Sequence, residues 1–275
     1  MTHRSSIRTA QTDWHGLVHK GVSPFRYRLS PHVHACRTHK HVVLLDVKRD
    51  QYVGIGGAAI QELADVIEGW PAAHHSPTSS IESESTSSSG EGEKGSADAL
   101  REMLDTGMVT TDTTSHYTPR TTPIVEPRTA LIDGYTDVSC SVGMREIRKF
   151  LAAAAATKFL LRWKSFENVV AHIKSQRDLQ RTPPDSHAAR FDLHAARQRV
   201  AEFKRLRTFI YTANDACLFD SLTLSKFLFS YGIYPNVVFG VDTNPFAAHC
   251  WLQEGSIVIN DDPLDVSRYV PVLII

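Results

Sequence analysis

Residues 72–96, AAHHSPTSSIESESTSSSGEGEKGS, are rich in Ser, Glu and Gly and carry almost no large apolar side chain. Such a run cannot bury enough surface to offset the entropy of ordering its backbone, so it is expected to be disordered. Any core must then be drawn from what lies before and after it, and 275 residues are enough for two domains. A second stretch, TTDTTSHYTPRTTPIVEP (110–127), adds Thr and Pro and reads as an extended connection. The expected organisation is an N-terminal extension over 1–22, a small unit over 23–112 interrupted by the 72–96 insertion, a linker over 113–140 and a larger unit over 141–275.

In the small unit, HVVLLDVKRDQYVGIG reads as two strands, 41–47 and 51–55, joined at a polar KRD turn. After Gly57 the period lengthens. Ile60, Leu63, Ala64 and Ile67 fall at helical spacing, stopped by Gly69 and Pro71. Beyond the insertion, ADALREMLDTGMVT sets Leu100, Met103 and Leu104 on one helical face ending at Gly107. Both helices are too short to stand alone and need each other or the hairpin. HVHACRTHKH (32–41) gathers His32, His34, Cys36, His39 and His41, which invites a metal reading. No second shell or catalytic water can be inferred there, so the stretch is read as solvent-facing strand residues and no metal site is assigned.

The larger unit opens with helices. Ile147, Leu151 and Ala154 keep one spacing, Ser165 is placed to cap a helix carrying Phe166, Val169, Val170 and Ile173, and a third helix carries Phe191, Val200 and Phe203. A fourth, CLFDSLTLSKFLFSYG, is closed by Gly232. After Pro235 the pattern turns to β in NVVFGVD, AAHCWLQ and SIVIN, separated by TNPF and EG turns.

Thirty basic residues balance thirty acidic ones, which gives nucleic-acid or anionic-membrane binding no global electrostatic support. The four cysteines, Cys36, Cys140, Cys217 and Cys250, form no CxxC pair, against a disulfide framework or zinc ribbon and in favour of a reducing cytoplasm. The N-terminus lacks an apolar signal region, and the run FLAAAAATKFLL is short and interrupted by Lys158. Neither a signal peptide nor a membrane span is expected.

Chemistry concentrates at Cys217. With Asn214 or Asp215 as cap, it falls in the first helical turn, where unpaired amides and the helix dipole favour a thiolate. A thiolate gains most from an imidazole that later protonates the leaving amine. Alternation in AAHCWLQ puts His249 and Trp251 on one strand face and Cys250 on the other, where a packed thiol is expected. Trp251 can wall the site or fill the core. The following strand ends at Asn260, Asp261 and Asp262, so a carboxylate is available to orient the imidazole. The order Cys, His, Asp is that of papain and transglutaminase-like enzymes.

The last sixty residues, with CL..SL.L..FL...G from Cys217, F.AHCW at 246–251, ND at 260–261 and a closing Y.P, resemble the lasso-peptide biosynthesis B proteins, the leader peptidases of that pathway. The resemblance implies Cys217 as nucleophile, His249 as general base and acid, and Asp261 as orienting carboxylate, with Asp262 the neighbouring alternative. YRLSP, the VVLLDV/QYVGIG hairpin and the two short helices resemble a recognition element for ribosomally made, modified peptides, a winged-helix-like module that binds leaders. The implied fold class is α+β, a winged-helix-like element followed by a papain/transglutaminase-like domain. An extended leader would add to the 51–55 strand. Tyr52, Val53, Leu100 and Leu104 would form its groove, although ordinary core packing suits each equally.

The implied activity is that of a cysteine peptidase that cuts leader from core. An asparagine-synthetase-like cyclase is the implied partner, closing the macrolactam. No GxxxxGK[ST] motif occurs, so the chain is expected to hold no cofactor of its own, and any ATP requirement is assigned to the complex with the cyclase. Acyl transfer with the same three residues, and an inactive leader-binding adaptor, are the alternatives.

Overall fold

The run Val42–Leu45 is buried on both faces, as the middle strand of a covered sheet must be. The computed structural model describes residues 26–71, 95–111, 125–132, 142–179, 191–210 and 217–275. The 1–22 extension, most of the 72–96 insertion, Cys140, and Asn214 and Asp215 with any cap they form lie outside the described residues. Within them the architecture is mixed α and β, with seven helices and three sheets.

In the N-terminal part, β2 (Val33–Arg37), β3 (His41–Asp46) and β4 (Gln51–Gly56) form an antiparallel sheet in that order. The β3–β4 turn is tied by Asp46, which is fully buried. Its carboxylate accepts from the amides of Lys48 and Arg49 at 2.9 and 3.1 Å and from the Arg49 guanidinium at 2.9 Å. A second small sheet orders β5 (Ile67–Glu68), β1 (Tyr27–Leu29) and β6 (Val109–Thr110). Helices α1 (Ala59–Ala64) and α2 (Ser96–Asp105) pack together, and Ile60, Leu63, Met103, Val42 and Leu44 share one apolar cluster with Ile67 and Trp70. Ile67, expected at a helical position, is instead a strand residue, because α1 ends at Ala64 and the chain turns to pair with β1. Ser96 starts α2 rather than ending the insertion.

The other face of the β2–β4 sheet looks toward the C-terminal part. Cys36, Val43, Leu45 and Val47 belong to the same cluster as Val272 and Leu273 of β11 (Val270–Ile274). Cys36 is therefore not solvent-facing. Burial pushes its thiol up to about 12. His32 approaches Asp46 at 3.8 Å, and among the described residues no group of His, Cys, Asp and Glu is arranged to hold a metal.

The C-terminal sheet runs β11, β8 (Asn236–Thr243), β9 (Phe246–Glu254), β10 (Ile257–Val258), β7 (Thr129–Ala130). Strand β7 falls inside the expected 113–140 linker. It pairs in parallel with β10, and Leu131 beside it is buried in the main core, so this stretch is part of the larger unit's sheet. Helices α3 (Met144–Trp163), α4 (Phe166–Asp178), α5 (Leu193–Arg207) and α6 (Cys217–Phe229) cover one face. On α3 the buried side is Phe150, Ala153, Thr157 and Leu160, whereas Leu151 points out. The alanine run blurs its apolar stripe, so spacing alone chose the wrong face. Val169, Val170 and Ile173 on α4, and Val200 and Phe203 on α5, point inward at the expected spacing. No described helix is long and apolar enough to cross a membrane.

Candidate active site

Cys217 is the first residue of α6, a helix held by Leu222, Leu224, Phe227 and Leu228, each fully buried. That anchoring leaves the thiol half-exposed at the helix start while the rest of α6 is locked in the core. His249 projects from β9, directly across from Gly240 of β8. Asp261 lies in the loop between β10 and α7 (Pro263–Val266).

The imidazole joins the other two. His249 Nε2 meets Asp261 Oδ2 at 2.5 Å, leaving Nδ1 for the hydrogen bond with Cys217. That bond is the main reason the Cys217 thiol lies below its ordinary range; burial opposes it, and the His249 charge and the backbone amides of Cys250 and Leu218 add to it. On His249, burial would lower the pKa, yet hydrogen bonds to Asp261 and Cys217 push it up to about 9. Asp261 is held low against its own burial by His249, by the Asp262 amide at 2.9 Å and by the charge of Lys204. The three groups thus favour a thiolate, an imidazolium and a carboxylate in a row, which is the charge state a nucleophilic cysteine needs.

The imidazole plane is fixed by rings. Tyr269 stacks on it at 5.0 Å between centroids and Trp251 at 6.0 Å. Such faces also favour the cationic ring. Trp251 is 1% exposed, so it walls His249 and cannot touch a substrate. Its indole donates to Gln253 at 2.9 Å, and Gln253 in turn donates to the Val125 and Gly255 carbonyls. Gly240 makes room for this stack. A Cβ there would lie 2.7 Å from two Trp251 ring atoms and 2.9 Å from Tyr269 Cβ. Gly240→Ala is expected to destabilise the fold by about 1–3 kcal/mol through overpacking, seen as a lower urea midpoint. An unchanged midpoint would mean that the rings have space to move.

A buried polar chain sets the helix against the strand. Ser221 Oγ donates to the Cys250 carbonyl at 2.8 Å and accepts from Asn260 Nδ2 at 3.0 Å, while Asn260 Oδ1 accepts the Leu252 amide at 2.8 Å. Ser221 lies one turn below Cys217, Cys250 follows His249 and Asn260 precedes Asp261. These bonds therefore fix the spacing among all three chemical groups. Asp262 faces elsewhere: its carboxylate caps α7 by accepting from the Leu264 amide at 2.8 Å. Cys250 is buried on the opposite strand face, and burial raises its thiol.

The four residues expected to line a leader groove do not share one surface. Val53, Leu100 and Leu104 are half-buried around the N-terminal cluster. Tyr52, one residue from Val53 on the strand, lies on the other face, packed on the main core and edge-on to Phe246 at 5.6 Å. Its phenol is pushed up to about 12, first by burial and then by the nearby Cys250, Asp50, Cys217 and Cys36. Alternation within a two-faced buried sheet separates it from the others. Gly240 and Tyr269 went unassigned in the sequence, although a glycine inside the apolar strand NVVFGVD is a usable sign of close approach.

Residues 153–274 match the family model of the transglutaminase-like superfamily, which places a domain of that kind over the helices and sheet that carry Cys217, His249 and Asp261. No curated protein and no solved structure matches the chain.

Proposed function

We propose that the chain is a cysteine peptidase that binds the leader of a lasso-peptide precursor and cuts leader from core before a partner cyclase closes the macrolactam. The observation that carries the peptidase reading is the hydrogen-bonded row Cys217, His249, Asp261 within a transglutaminase-like domain. In this reading the Cys217 thiolate attacks the scissile carbonyl, and the imidazolium gives its proton to the departing amine. The C–N bond breaks and a thioester remains on Cys217. His249, now neutral, takes a proton from water as that water attacks the thioester; the adduct collapses to release the leader acid, which ionises, and restores the Cys217 thiolate beside the His249 imidazolium. Asp261 holds the ring in one orientation throughout.

Support for the leader reading comes from the N-terminal sheet. Among the described residues β4 pairs only with β3, which leaves its outer edge for strand addition, and Val53, Leu100 and Leu104 belong to the cluster that packs on one face of that sheet. We assign the groove to these three and Tyr52 to the junction between the two parts. The recognition-element identity, the cyclase partner and ATP use by the cyclase rest on the sequence resemblance, and a cytoplasmic setting rests on the four cysteines without CxxC spacing.

The test is mass spectrometry of a cognate precursor incubated with this protein, the cyclase and ATP. Free leader ending in a carboxylate, with macrolactam appearing when the cyclase is present, is the expected result. A leader carrying an added amine at its end would identify acyl transfer instead, and an intact but bound precursor would identify an adaptor.

A further inference from the structure

A cleft of about 1000 Å³ opens beside the site, walled in part by Lys204, Arg197, Ile132, Ile257, Leu264 and Asp261. Among the described residues Cys217 and His249 do not line it, so Asp261 is the wall that it shares with the row of reacting groups. On α5, Lys204 turns a half-buried ammonium toward this space and donates no hydrogen bond to another described residue. Its acidic neighbours are already engaged. Asp220 receives Arg207 at 2.8 Å, and Asp261 receives His249 at 2.5 Å together with the Asp262 amide. Arg197 spends only its Nε, on the Leu131 carbonyl at 3.0 Å, and its terminal nitrogens donate to no described residue. The remaining acids of the wall are occupied too, Asp262 in capping α7 and Glu126 near Arg128 at 3.8 Å. A partly desolvated cation held only at a distance, by the charges of Asp220 and Asp261 that other donors already fill, leaves room for an anionic group to pair with it directly.

We propose that this cleft is a subsite for a carboxylate-bearing stretch of the substrate, with Lys204 as the pairing cation and Arg197 as a second donor. The proposal rests on the peptidase reading, which makes the occupant of a cleft that shares Asp261 with the reacting row a part of the substrate. Apolar walls at Ile132, Ile257 and Leu264 accept the neighbouring side chains or methylenes.

The experiment reads binding and needs no turnover. Ac-Gly-Glu-Gly-NH2 and its neutral partner Ac-Gly-Gln-Gly-NH2 are titrated by ligand-observed NMR into full-length protein carrying Cys217→Ala. The acidic peptide is expected to bind about tenfold more tightly, as a charge-assisted hydrogen bond at a half-exposed site allows. Lys204→Gln should bring the two peptides to parity, while Lys204→Arg should keep the preference. Equal binding of the two peptides, binding of neither, or a preference that survives Lys204→Gln would overturn the proposal. A carboxylate preference in a protein that cleaves no precursor would instead count against the peptidase reading alone.

Discussion

Cys217→Ala is expected to leave a precursor peptide uncut, with turnover reduced by on the order of 10⁵-fold or more. The size of the loss follows from the site's construction. The described residues hold two other thiols, Cys36 and Cys250, both buried and both raised in pKa, and neither can replace the nucleophile. Leader binding should be unchanged in this variant, because the N-terminal cluster does not include α6. Intact-mass analysis of precursor and products checks the loss of cleavage, and a fluorescence-anisotropy titration of labelled leader peptide checks the binding. Cleavage persisting at the wild-type rate would remove Cys217 from the chemistry altogether.

His249→Ala carries the second large effect, and it can be followed even without a substrate. In the wild type, alkylation of Cys217 by iodoacetamide should begin at a pH below that of an ordinary cysteine, because the hydrogen bond to His249 lowers the thiol. Removing the imidazole deletes that cause and leaves burial, which raises the thiol, opposed only by the Cys250 and Leu218 amides, so the onset should move up toward or beyond the ordinary thiol range. Cleavage should fall by about 10⁴-fold or more. The wild-type pH profile follows from the same pair. Activity should rise as the depressed Cys217 thiol ionises and fall near pH 9, where His249, raised to about 9, loses the proton owed to the leaving amine. Both limbs belong to the coupled pair rather than to either residue alone. Peptide mapping after alkylation at a series of pH values measures the shift, and an unmoved onset in the variant would show that His249 does not govern the thiol.

What could be read from the sequence was local. The alternation in AAHCWLQ places His249 and Trp251 together, and the structure stacks those two rings. The ND pair after SIVIN brings a carboxylate to the imidazole, and three-dimensional geometry then separates Asp261, which meets the ring, from Asp262, which caps a helix. What could not be read depends on contacts far apart in the chain. Thr129 and Ala130 look like linker because a two-residue edge strand has no pattern of its own, only a partner more than a hundred residues away. The expected groove along the 51–55 strand takes in both Tyr52 and Val53, although neighbours on a strand face opposite ways and both faces of this sheet are covered. Ser221 and Asn260 are ordinary polar residues until folding brings them within 3.0 Å of each other. Leu151 misled because in FLAAAAATKFLL several helical faces are equally apolar.

The cluster shared by Cys36, Val43, Leu45 and Val47 with Val272 and Leu273 bears on what joins the two halves of the chain. Cut the connecting peptide, and each half would still present an apolar sheet surface shaped to the other, with Tyr52 against Phe246 and Thr38 beside Thr243 at its rim. The buried surface is therefore a fastening in its own right beside the backbone, and two separate polypeptides carrying these faces could dock into the same body.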